Sequence, residues 1–294
     1  MIKKSIYTLL TTGLMSLVLA CTTATDPAPT NQISAETVNK INAYGTSKGV
    51  TFTRTSDDIF YATTLAKPTG RVPQTNEHVK LHYVYTDLEG KILDSTAIIR
   101  NIPATFLLYP SSDVNRPLLN YVAVLMKEGE KSIVVFPATS NSSQPTVLTA
   151  TLVSTRNETE QIDEYVKEKF PNLPVKKTAS GLQYLITKIS ASGDTVKNNK
   201  TATVAYTGRF LYQNKSTDTN GFPSYTDKFD GGSFSFLVGQ AGAIAGFQEA
   251  AKLMKVGDKG VFIFPSSLGY GNGGSGSIPG YTPLYFEMEV TGVK

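Results

Sequence analysis

An ordered series of short matches occurs twice in this chain, and the duplication limits its possible folds more than any other feature. Ile41-Asn42-Ala43-Tyr44 is echoed by Ile162-Asp163-Glu164-Tyr165, and the run from Thr55 to Tyr61 by the run from Thr178 to Tyr184. His82-Tyr83 answers Ala205-Tyr206, Gly129-Glu130-Lys131 answers Gly257-Asp258-Lys259, and Phe136-Pro137 answers Phe264-Pro265. The order is kept and the spacing changes only where loops differ, as expected of a repeated module. At 294 residues the chain has room for two ordinary domains.

Each copy opens with a helix. Over 34–44, Ser34 is the N-cap, Val38, Ile41 and Tyr44 share one face, and Gly45 is the stop. Over 159–170, Ile162, Val166 and Phe170 share a face, and Pro171 ends the helix. In the second copy, β-rich runs follow at 201–206, 234–238 and 261–264. The last run, 281–290, alternates, with Leu284, Phe286, Met288 and Val290 on one face. A short helix is predicted where Ile244, Phe247, Ala250 or Ala251, and Met254 recur at helical spacing before Gly257. Strands around one helix, without a βαβ rhythm, predict an α+β fold. Its antiparallel sheet wraps around that helix, whose apolar side fills the concave face.

The N-terminal segment differs in kind. Lys3 and Lys4 precede an apolar run from Leu9 to Leu19, too short to span a bilayer but suited to a secretory leader. The string Val18-Leu19-Ala20-Cys21 resembles a bacterial lipobox, and Cys21 is the single cysteine of the chain. The resemblance implies a leader over 1–20, a lipidated Cys21 and a tether over 21–33 containing Asp26-Pro27-Ala28-Pro29. It also implies a membrane partner through the lipid anchor. Thr22 after the cysteine, rather than Asp, implies the outer membrane facing the periplasm. The alternative is an ordinary secretion signal with an incidental cysteine.

Several function classes are disfavoured. The net charge is +4, half of it from Lys3 and Lys4, and no basic block is interleaved with aromatics, so nucleic acid is not an expected partner. With one Cys and only His78 and His82, no metal or other cofactor is expected, and no hydrolase constellation is present. His82 is read as an outward-facing structural residue.

The motifs of the second copy are more specific. Ala205-Tyr206-Thr207-Gly208, Lys228-Phe229-Asp230 and Phe234-Ser235-Phe236-Leu237-Val238-Gly239 resemble successive strands of FKBP-type peptidyl-prolyl cis-trans isomerases. Ala243-Ile244-Ala245-Gly246-Phe247 resembles the entrance of that family's helix, and Pro265 to Gly271 the loop after the following strand. Ile278-Pro279 and Leu284-Tyr285-Phe286 resemble its closing hairpin. The resemblance implies two FKBP-like modules: a degenerate one over 34–156, and an isomerase module over 157–294 with its core at 178–294.

Carried over residue by residue, the resemblance implies a prolyl pocket with catalytic positions Tyr206, Asp230, Ile244, Tyr270 and Phe286. Phe229, Phe234, Ala243, Phe247 and Ile278 would contact the substrate. The Ile244 N–H and the Tyr270 hydroxyl would hold substrate carbonyls, and Tyr206 and Asp230 would form one wall. Phe247 would be the floor, where many family members have Trp; this chain has none. Two stretches depart from the family minimum: an insertion over 211–227 and the glycine-rich run Asn272 to Ser277, both expected to be flexible rims.

The first copy keeps Tyr83 and Asp94 opposite Tyr206 and Asp230, but Leu93 replaces Phe229 and Leu119 replaces Phe247. Phe106 is set opposite Phe234, Arg116 opposite Ile244, and a Thr or Ala opposite Phe286. The stretch Ala138 to Gln144 is about nine residues shorter than its counterpart and has no Tyr270 equivalent. This copy is expected to be inactive. The expected function of the chain is therefore isomerisation of X-Pro bonds in proline-containing polypeptides of the cell envelope. The alternative is a non-catalytic chaperone or scaffold that binds extended chains.

Overall fold

The computed structural model describes residues 33–109, 117–138, 144–220 and 222–294. The leader, Cys21 and nearly all of the tether lie outside the described residues, as does Arg116.

Helix α1 (Ala35–Ser47) opens the first module, with the Ser34 hydroxyl accepting from the Thr37 N–H. Strands β1 (Thr53–Arg54), β2 (Phe60–Leu65), β3 (His78–Asp87), β4 (Ile92–Ser95) and β5 (Ala104–Leu107) follow. Helix α2 (Leu118–Ala123), β6 (Lys131–Phe136) and β7 (Thr146–Arg156) complete the module. Helix α3 (Glu158–Lys169) then leads into β8 (Lys176–Lys177), β9 (Gln183–Lys188), β10 (Thr201–Thr217) and β11 (Pro223–Leu237). Helix α4 (Ala245–Lys252), β12 (Lys259–Phe264) and β13 (Leu284–Val293) close the chain.

All strand pairs are antiparallel. The first sheet runs β1-β2-β6-β7-β3-β4, with β5 also on β3, and the second runs β8-β9-β12-β13-β10-β11. The two paths are the same when counterparts are matched. Smaller contacts match as well. The Glu130 carboxylate accepts from the N–H groups of Lys67 and Lys127, and that of Asp258 from those of Ser190 and Lys255. Each acid pins the turn before an equivalent strand.

Each sheet is covered on two faces. Inside the curve of the first sheet, Val122, Ala123 and Met126 pack on Val79, Leu81, Leu148 and Leu152; in the second, Phe247, Ala250, Ala251 and Met254 pack on Val204, Phe262, Phe286 and Val290. Outside, Ile41 of α1 packs on Ile133, Val135 and Val147, while Ile162 of α3 packs on Val261, Ile263 and Tyr285. The alternation foreseen in the last strand is present: Leu284, Phe286, Met288 and Val290 are all buried.

Two expectations need correction. Helix α1 does not stop at Gly45 but runs through it, since the missing side chain lets Phe52 approach to 2.9 Å of where a Cβ would stand. The stop is Gly49, whose φ of +70° suits glycine. The insertion over 211–227 is not a loose rim: β10 and β11 extend through it as a ladder, with a register break between Arg209 and Asn214. On β3, the ring nitrogens of His82 lie 3.1 Å from Thr96 Oγ1 and from Asn101 Oδ1.

The modules touch along this extended hairpin. The Arg100 guanidinium lies over the Tyr225 ring, and His78 meets the edge of Tyr212 at 5.8 Å between centroids. Helix α3 is also held to the first module, by Arg71 on Glu160 at 2.6 Å and by Arg156 on Glu164.

Candidate active site

In the second module, strands β10, β11 and β13 and the start of α4 converge on one cavity of about 300 Å³. Ladder register explains the convergence. Gly208 pairs with Phe286 on one side and Asp230 on the other, so Tyr206, Asp230 and Phe286 rise from adjacent strands. A Cβ on Gly208 would stand 2.6 Å from Phe229 and 3.0 Å from Phe286, so only glycine leaves space for both rings. Gly246 does the same under α4, where a Cβ would meet the Phe264 ring at 2.6 Å.

Tyr206, Phe229, Asp230, Phe234, Ala243, Ile244, Phe247, Tyr270 and Phe286 line this cavity, together with Gly242. Ile278 does not: it is buried in the core cluster beneath, and its backbone closes a bridge to Ser275. Phe247 is the hub of the rings. It meets Tyr206, Phe234, Phe236 and Phe286 edge-on, at centroid distances between 5.3 and 6.1 Å. Such T-shaped contacts hold rings firmly while their faces border the hollow.

Polar groups are few and sit at the rim. The Tyr206 hydroxyl donates to Asp230 Oδ2 at 2.7 Å, and the Gly231 N–H donates to Asp230 Oδ1 at 2.8 Å. Burial, then the Asp230 carboxylate, push the Tyr206 hydroxyl up to about 12, so it stays protonated at any physiological pH. Ile244 is the N-cap of α4; its carbonyl accepts from Gln248, while its N–H donates to no acceptor among the described residues. Tyr270 stands on the loop after β12, a little over a third exposed. This arrangement can desolvate a small ring and offer two donors to neighbouring carbonyls. It contains no paired acid and base and no nucleophile.

A larger groove of about 660 Å³ crosses the outer face of the same sheet, lined by Lys228, Lys259, Glu287 and Glu289 among others. It is charged, and Tyr206 is its single aromatic. It lacks a desolvated floor.

The first module keeps the wall but not the hollow's lining. Tyr83 donates to Asp94 Oδ2 at 2.6 Å, as Tyr206 does to Asp230. Tyr85 stands where Gly208 does, since Leu148 pairs with Tyr85 and Val134 as Phe286 pairs with Gly208 and Phe262. The residue opposite Phe286 is therefore Leu148, not Thr or Ala. Register also moves Phe106 opposite Phe236, because Val79 faces Phe106 as Ala202 faces Phe236; Ala104 is then opposite Phe234. Leu93 is half exposed.

Two glycines of the site carry no signal in the sequence, one at the cavity wall and one behind its rings. Gly242 borders the cavity through its backbone, which leaves no residue-type signal. The role of Gly208 was hidden because a glycine in a strand can equally mark a bulge.

Residues 193–291 match the family described as FKBP-type peptidyl-prolyl cis-trans isomerase. Over 132 residues the chain is 36% identical to the FKBP-type peptidyl-prolyl cis-trans isomerase FkpA of Aeromonas hydrophila, covering 45% of each chain. It is 35% identical to FK506-binding protein 2 of Dictyostelium discoideum, over 41% of this chain and 84% of that one. The crystal structure of FkpA from Escherichia coli is 28% identical, covers 47% of this chain and 59% of that one, and superposes with a TM-score of 0.37. The chain spans about half the length of the bacterial relatives that it matches.

Proposed function

The chain belongs to the family of FKBP-type peptidyl-prolyl cis-trans isomerases, and from that premise we propose that its second module, residues 157–294, isomerises X-Pro bonds of polypeptides. The observation that carries this reading is the single cavity ringed by Tyr206, Phe229, Phe234, Phe247 and Phe286, with Asp230, Ile244 and Tyr270 at its rim.

The barrier to rotation, about 18–20 kcal/mol, comes from amide resonance that is lost in the twisted state. Once twisted, the carbonyl is less polar and the proline nitrogen more pyramidal. A dry aromatic hollow favours that state over the planar amide, and only such a difference in binding accelerates the reaction. Phe247 receives the pyrrolidine, with Phe234 and Phe286 as walls. The Ile244 N–H and the Tyr270 hydroxyl hold the flanking carbonyls, and Tyr206 with Asp230 faces the turning one. No covalent step is needed.

The first module serves structure or peptide binding in this reading, since Tyr85, Leu119 and Leu148 replace the lining. The remaining assignments belong to the same proposal: a leader over 1–20, lipidation at Cys21, a tether over 21–33, and an outer-membrane address facing the periplasm. Mass spectrometry of the mature N-terminus tests the anchor; an unmodified Cys21 rejects it.

The test of catalysis is a protease-coupled isomerisation assay on the full chain with a proline-containing peptide. Tyr206→Phe and Phe286→Ala are expected to lower the rate. A folded, inactive wild type overturns the proposal. A second reading, chaperone-like binding of extended chains, is favoured by exposed Ile92, Leu93, Ile98 and Ile99 on the first module and Phe222 on the hairpin. Suppression of aggregation that survives loss of the cavity would select it.

A further inference from the structure

We infer that Glu158, the first residue of α3, is a positioning residue for Tyr270, and that it sets the geometry of the prolyl site from outside the module's sheet. The inference rests on the isomerase reading above. Both oxygens of its carboxylate are engaged on one residue: Oε2 accepts from the Ser266 N–H at 2.5 Å, and Oε1 from the Ser266 hydroxyl at 2.7 Å. Ser266 is 4% exposed. Hydrogen bonds to a carboxylate are shorter and roughly twice as strong as neutral ones, and two of them fix the orientation of the residue between them.

From Ser266 the restraint passes directly to the site. Its carbonyl accepts from the N–H groups of Gly269 and Gly271, each at 2.8 Å, and these are the two neighbours of Tyr270. The turn carrying the tyrosine is thus pinned at its base by an acid from another element. Capping does not account for this acid. The capping box at the start of α3 is made by Asn157 and Glu160, which leaves Glu158 free to reach across. Helix α3 is in turn seated by Ile162, Tyr165, Val166 and Phe170 on the sheet, and by Arg71 and Arg156 of the first module.

The first module provides an internal control. By the match of Phe136-Pro137 with Phe264-Pro265, Ala138 stands in the place of Ser266, and it has no hydroxyl. By the match of Ile41 with Ile162, Thr37 stands in the place of Glu158. The stretch from Ala138 to Gln144 contains no tyrosine. The clamp and the residue that it would position are lost together.

The test is a set of full-length variants assayed with a chromogenic peptide bearing one X-Pro bond, with the folded fraction followed by circular dichroism. Glu158→Gln is expected to lower kcat/KM by about tenfold, within the hundredfold that a displacement of about 1 Å can cost. In a Tyr270→Phe background the same substitution is expected to cost less than about twofold, because its effect runs through the missing hydroxyl. Ser266→Ala, which keeps the backbone bond and the fold, is expected to show the same dependence on background with a smaller loss. Equal factors in both backgrounds, or an Ser266→Ala variant with wild-type kinetics, overturn the inference alone. A wild type with no activity overturns the function from which it starts.

Discussion

The ammonium of Lys215, on the extended hairpin of the second module, lies 2.5 Å from Oδ1 of Asp94 in the first. It also donates to the Ser95 carbonyl at 3.1 Å. The wall that the first module shares with the second is therefore occupied by its neighbour's hairpin. Burial raises the Asp94 carboxyl, but the bonds from Lys215 and Tyr83 outweigh it and hold the group below its ordinary range. Both partners are substantially exposed, so Lys215→Ala is expected to cost less than about 1 kcal/mol of stability. Its effect should be on orientation instead. Small-angle scattering is expected to show a broader distribution of module separations in the variant, and an unchanged profile would deny the contact this role.

Gly208→Ala is expected to damage the site while sparing the fold. The new methyl must displace Phe229 and Phe286, which approach to 2.6 and 3.0 Å. The overpacking costs about 1–3 kcal/mol. The decisive measurement is kcat/KM, expected to drop by about tenfold or more as the rings turn into the cavity. A variant as active as wild type would mean that these rings do not shape the productive site.

Phe247→Trp probes the floor. The extra ring has the adjoining hollow of about 300 Å³ to enter, and the Phe264, Phe286 and Val204 side remains packed. Binding of a proline-containing peptide, measured by calorimetry, is expected to tighten by about fourfold, since added apolar contact of about one methylene equivalent yields roughly 0.8 kcal/mol. Weaker binding would show that the floor is already filled.

His78 predicts a pH dependence of stability. Burial pushes its imidazole down to about 4, the Gly280 carbonyl opposes this, and Lys80 adds to it. The ring is packed against Tyr212 and Thr282, and its Nδ1 has no partner among the described residues. The unfolded chain binds the proton near pH 6.5, the folded chain only near 4. The stabilisation is therefore complete above about pH 6.5, declines between there and 4, and is lost below, by up to roughly 3 kcal/mol. Denaturant midpoints between pH 4 and 7 should follow that slope in wild type and lack it in His78→Gln.

Much of this was legible locally. The spacing of Ile162, Val166 and Phe170 gave α3 within a residue of its observed start and end. The alternation from Leu284 to Val290 gave the buried face of β13, because periodicity reports directly on which side meets the core. The residues around the cavity were readable because their types are tied to a known series of motifs. Ile278 was misplaced by the same route, since a motif does not say which way a residue in a tight turn points. What could not be read is contact between distant segments. Nothing near Lys215 or His78 in the sequence marks Asp94 or Thr282 of the other module as a partner, and nothing near Glu158 marks Ser266 within its own module. The degenerate copy's register shifted because β4 and β5 replace one long strand.

The hairpin arm has a further property. Side chains along a strand point alternately to its two faces, so Lys215 faces Asp94 only while the count of residues from the register break at Asn214 is kept. Adding or removing one residue there would turn the ammonium to the opposite side; two would restore its direction and change its reach. The length of this arm can drift through evolution only in even steps, unless a second bulge absorbs the odd one.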